Sequence, residues 1–109
     1  QHTTTANWAH LTWHVHAGPR VEGRLYEDAG EGFGASRTTW LEGELRDGRF
    51  VLARRTEGGL PLTRSAETLC VYGLPEPREV LGAREHRFVD GVLLVDVEAG
   101  WTRLEVRLP

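Results

Sequence analysis

Three carboxylates crowd one short stretch, Leu25-Tyr26-Glu27-Asp28-Ala29-Gly30-Glu31-Gly32. Glu27, Asp28 and Glu31 supply hard oxygens over a glycine-flexed loop, which is the raw material of a Ca²⁺ site or an acidic active site. Calcium takes about six to eight oxygens, and three side chains fall short of that without backbone carbonyls. A structural turn satisfies the same residues more simply. Asp28 would accept backbone N–H bonds as an Asx-turn does, and Gly30 and Gly32 would supply unusual φ values. Tyr26 would plug the edge of the core and bond through its hydroxyl. The turn is therefore expected to be a structural corner built from Tyr26, Glu27, Asp28, Gly30 and Glu31.

His14 and His16, two apart, project to one side of a strand, with His10 further along that face. Such a pair can hold a transition metal, but a third ligand and an orienting partner are needed and the sequence names neither. No metal or other cofactor is expected. Trp13 falls in the apolar phase and reads as core. Trp8, Trp40 and Trp101 fall in the polar phase beside His10, Glu42 and Arg103. An indole out of phase can stack on a sugar ring, cover a domain interface, or be buried by a bulge. Trp40 and Trp101 are the candidate carbohydrate-binding residues. Cys70 and Ser65 have no histidine at a spacing that suggests an activated nucleophile. Cys70 sits in the apolar run Leu69-Cys70-Val71-Tyr72 and reads as a small buried hydrophobe. Gly30-x-Gly32-x-Gly34 follows an acidic turn instead of opening a helix, so it would repel a phosphate.

The elements that must position these residues are strands. Residues 8–16 alternate, with Ala9, Leu11, Trp13 and Val15 on one face, until Gly18-Pro19 breaks the run. Gly23 to Tyr26 forms a short strand leading into the acidic turn. Ser36 to Arg46 and Arg49 to Thr56 flank Asp47-Gly48, a hairpin signal because both central residues of a type I′ turn need positive φ. Gly58-Gly59-Leu60-Pro61 reads as a loop. Further strands are expected at Ala66 to Tyr72, Arg78 to Leu81, Arg84 to Val89, Val92 to Glu98 and Thr102 to Leu108, with Asp90-Gly91 and Ala99-Gly100 as tight turns. In the last strand Thr102, Leu104, Val106 and Leu108 point inward, and Arg103, Glu105 and Arg107 outward. Some eight short strands with glycine turns between them imply an all-β fold, an antiparallel β-sandwich. It would occupy residues 8–109, after a polar, threonine-rich tail or linker remnant at 1–7.

At 109 residues the chain holds one domain, and a (β/α)8 barrel of about 250 residues cannot fit. Its longest apolar stretch, Val92-Leu93-Leu94-Val95, is far shorter than the roughly 18 residues of a membrane helix. A net charge of −3 with scattered arginines gives no basic patch for nucleic acid. With no methionine the chain reads as a fragment of a larger protein. Its lack of lysine and isoleucine, beside abundant arginine, leucine and glycine, is the bias of GC-rich bacterial DNA.

Leu25-Tyr26-Glu27-Asp28-Ala29-Gly30-Glu31 resembles the "LYEDDGE" signature near the start of the C-terminal β-sandwich of glycoside hydrolase family 31, the α-glucosidase family. Upstream, Leu11 to Gly18 is similar to that family's strand ending in a glycine turn. Downstream, Ser36-Arg37-Thr38-Thr39-Trp40 is similar to its serine- or threonine-rich strand leading to an aromatic. One position departs: the family's second aspartate is Ala29 here, which removes any role that needs the full acidic triplet. The resemblance implies a non-catalytic accessory domain with a packing role. Its partner would be an upstream catalytic barrel of the same polypeptide, a retaining α-glucosidase in a bacterial cytoplasm. The family's catalytic aspartates have no match in this chain, so no catalytic residue is carried over. The alternative is a carbohydrate-binding module that contacts α-glucans through surface tryptophans.

Overall fold

A computed structural model describes residues 2–6, 11–28, 36–59 and 66–109. Among the described residues ten strands follow in chain order: β1 (His2–Ala6), β2 (Leu11–His16), β3 (Val21–Asp28), β4 (Ser36–Arg46), β5 (Arg49–Glu57), β6 (Ala66–Tyr72), β7 (Glu79–Leu81), β8 (Glu85–Val89), β9 (Val92–Glu98) and β10 (Arg103–Arg107). They form two five-stranded sheets, β1-β2-β6-β9-β8 and β3-β4-β5-β10-β7, packed as a β-sandwich.

Alternation explains which face of each strand is dry. In β2, Leu11, Trp13 and Val15 are buried while Thr12 and His14 are half-covered. In β9, Leu93, Val95 and Val97 take the same role, and in β6, Leu69 and Val71. The second sheet answers with Leu41, Phe50, Leu52, Leu104 and Val106, so one apolar cluster spans both layers. Each such side chain contributes about 1.5–3 kcal/mol by leaving water.

Turn chemistry sets the hairpins. Asp47 and Gly48 have φ of 54° and 76°, and Asp90 and Gly91 have 52° and 80°, both type I′ signatures that match the twist of the flanking strands. Gly82 leads out of β7 with φ of 94°. A Cβ there would stand 2.4 Å from the Arg103 carbonyl oxygen, so no other residue fits beside β10.

Three features differ from the sequence-based expectation. First, His2–Ala6, expected as a tail, is an edge strand antiparallel to β2. Its polar composition is tolerable there because an edge strand need not be buried on both sides. Second, β2 and β6 pair in parallel, Leu11 with Glu67 through His16 with Tyr72, within an otherwise antiparallel sandwich. Parallel partners require a long crossover, and here β3, β4 and β5 lie in the intervening chain. Third, β3 runs on past Tyr26 through Glu27 and Asp28, which pair with Arg37 and Ser36.

Candidate functional site

The acidic stretch divides at the end of β3. Tyr26 and Glu27 are strand residues, with the backbone of Asp28 closing the strand, whereas Gly30 and Glu31 lie outside the described residues. Tyr26 does not plug the core: it points outward and is 59% exposed. Strand phase is the reason, since Leu25 and Glu27 on either side face the other layer. Glu27 meets Arg37, which is buried, across the β3–β4 ladder. The Arg37 Nη2 and Nε both donate to Glu27 Oε1, at 2.7 and 3.2 Å. Glu27 is thus committed to an internal ion pair, whose charge-assisted hydrogen bonds tie two strands together.

A second carboxylate lies deeper. Glu67 occupies the inward phase of β6 with Leu69 and Val71, and is fully buried. Moving a carboxylate out of water costs several kcal/mol unless donors replace the lost hydration. Two indoles do so: the Nε1–H groups of Trp13 and Trp101 each donate to Glu67 Oε1 at 3.1 Å. Arg54, inward on β5, brings Nη2 to 3.7 Å from Glu67 Oε2, and its Nη1 donates to the Trp101 carbonyl at 3.1 Å. The cluster joins the two sheets through four side chains.

Trp101 is therefore withdrawn as a sugar-stacking residue, being buried and bonded inward. The phase count back from Leu104 fails because Trp101 belongs to a turn, where its N–H donates to the Glu98 carbonyl at 3.0 Å before β10 begins. Sequence reasoning passed over Glu67 as well. The available signal was a carboxylate two residues before Leu69 and four before Val71, in the buried phase of a strand.

Trp40 stands on the outward face of the second sheet and is half-buried. It pairs with Arg24 on one side and Arg55 on the other. The Arg55 guanidinium lies 4.1 Å from the Trp40 ring centre, a cation–π contact, and Arg55 also pairs with Glu57. Beside this row opens a depression of about 580 Å³, lined by Glu22, Glu42 and Glu44 with the small side chains of Val51 and Ala53. Further across the same face, Arg103 and Arg107 cover Glu105, at 3.1 and 2.8 Å. The hydrogen bond from Arg107 is the main cause holding the Glu105 carboxyl below its ordinary range; partial desolvation opposes it, and Arg103 adds to it.

On the outward face of the first sheet, His14 and His16 flank Tyr72. His14 Nδ1 is 2.9 Å from the Tyr72 hydroxyl, and the His16 ring stacks 4.9 Å from the Tyr72 ring. The pair grips an aromatic ring, and among the described residues no three His, Cys, Asp or Glu side chains gather as a metal site. Cys70 is on this face too, half-buried beside His14 and not in the core, because Leu69 and Val71 fix the inward phase of β6. Burial pushes its thiol pKa up, away from nucleophilic chemistry. Trp8, His10 and Ser65 lie outside the described residues. No protein-family model matches the chain, and no curated protein matches it.

Proposed function

We propose that this chain is a non-catalytic accessory β-sandwich that packs against a catalytic barrel of the same polypeptide, in the manner of the distal C-terminal domain of family 31 α-glucosidases. The observation that carries this reading is the Glu27–Arg37 pair. Glu27 of the family-like segment holds β3 to β4 and is not offered to a substrate. Glu67 and Glu105 are similarly engaged, one by indoles and one by arginines. A retaining glycosidase needs an acid and a nucleophile carboxylate about 5–5.5 Å apart beside a sugar, and these three serve as structural acceptors instead.

Two measurements test the reading. The purified chain should leave a chromogenic α-glucoside intact, and hydrolysis by it would overturn the non-catalytic role. The few hundred codons upstream should encode a barrel with two catalytic aspartates. An unrelated upstream sequence would overturn the family reading.

A further inference from the structure

The outward face of β3, β4 and β5 carries two aromatic rings that the core does not use. Tyr26 is the most exposed large hydrophobic side chain among the described residues. Trp40 is its diagonal neighbour, because Tyr26 pairs with Thr38 and Arg24 with Trp40. Diagonal partners on adjacent strands stand about 7–8 Å apart, close enough for large rings to form one continuous platform. In the next residue row beyond Trp40 begins the depression lined by Arg20, Glu22, Glu42 and Glu44. No ion pair among the described residues uses Arg24 or Glu42, so both retain hydrogen-bonding capacity for a ligand.

The surroundings of the two rings select the chemistry of that ligand. The core of a protein–protein interface is depleted of charge, whereas Arg24, Glu42, Arg55 and Glu57 all stand within one residue row of Trp40. Along the depression an anion would meet Glu22, Glu42 and Glu44 against a single arginine, Arg20, which already pairs with Glu22. A sugar ring suits both features, offering an apolar C–H face to an aromatic and hydroxyls to groups of either sign at its edge. We propose that this face binds a neutral hexose oligosaccharide. Tyr26 and Trp40 stack on successive rings, and Arg24 and Glu42 hydrogen-bond their hydroxyls. Arg55 lies over the indole, 4.1 Å from its ring centre, and swings aside as the sugar stacks there. Its own pairing with Glu57 is at the surface and yields at little cost when a sugar arrives. Nothing in this assignment depends on a catalytic neighbour.

The test is a two-dimensional amide NMR titration of the chain with maltoheptaose and, separately, with cellohexaose, each to millimolar concentration. With at least one sugar, the backbone signals of Tyr26, Trp40 and Glu42 should move. The indole N–H of Trp40 should move with them, while those of Trp13 and Trp101, bonded to Glu67, stay in place. Tyr26→Ala removes an exposed ring, so the fold should survive, and the affinity should fall about three- to tenfold. Maltoheptaose alone would identify an α-glucan site and cellohexaose alone a β-glucan site, each supporting the proposal. Silence with both sugars, shifts confined to another face, or an affinity unchanged in Tyr26→Ala would overturn it.

Discussion

Arg54 and Arg55 are chain neighbours on β5, and strand geometry turns them to opposite sides of the same sheet. Each meets a tryptophan and a glutamate. Arg54 lies inside with Trp101 and Glu67, and Arg55 lies outside with Trp40 and Glu57. The residue types are the same, but the surroundings differ. Inside, side-chain exposure is 6% for Arg54 and 0% for Glu67; outside it is 57% for Arg55 and 64% for Glu57. The inner carboxylate has given up its hydration and depends on its protein donors. The outer pair keeps water as an alternative partner, so its loss is largely compensated.

The largest effect expected from this contrast is at Glu67. Glu67→Ala leaves the Arg54 charge buried and removes the acceptor of two indole N–H groups, so stability should fall by about 3–5 kcal/mol in urea unfolding. Glu67→Gln keeps an oxygen for the indoles and should recover part of that loss. If Glu67→Ala were as stable as the parent chain, the idea that the cluster joins the sheets would fail. The outer counterpart, Arg55→Ala, should change stability by less than about 1 kcal/mol, and salt should shrink the difference further. A larger cost would mean that the outer pair is shielded from water after all.

The smallest effect concerns Glu105, which faces outward under two arginines. Its pKa in the folded chain lies below the ordinary value, chiefly through the Arg107 hydrogen bond. The pairing therefore contributes to stability above the ordinary carboxylate range, and that contribution is lost as pH falls through the folded value. Followed by carbon NMR of its carboxyl group, Glu105 should titrate below the ordinary glutamate value. In Arg107→Gln its midpoint should rise toward that value. An unmoved midpoint would assign the depression to some other charge.

Much of the fold was legible because local patterns carry it. Ala66–Tyr72 and Val92–Glu98 match the strands expected from alternation and apolar runs, and Asp47-Gly48 forms the expected hairpin turn. What escaped was decided at a distance. The parallel partnership of β2 and β6 leaves no mark in either strand, since each shows only which of its faces is dry. β1 escaped because a threonine-rich edge resembles a linker. The candidate site divides along the same line. Strand phase alone puts Trp40 on the surface, and it is found there. Trp101 depended on where a turn ends, and Glu67 on whether donors from three other segments would converge on it.

The parallel pair also orders events during synthesis. Trp13 and Glu67, bonded in the finished sheet, are 54 residues apart in the chain. β3, β4 and β5 are joined by short-range antiparallel pairings and can assemble as they emerge. β2 must meanwhile wait with the backbone groups of one edge unpaired until β6 arrives beside it. Such non-local closure is slow relative to hairpin formation. The growing chain therefore passes through a half-built stage in which the second sheet is the template and the first is still missing its centre. Pulse-labelled hydrogen exchange during refolding should find β4 and β5 protected before β2.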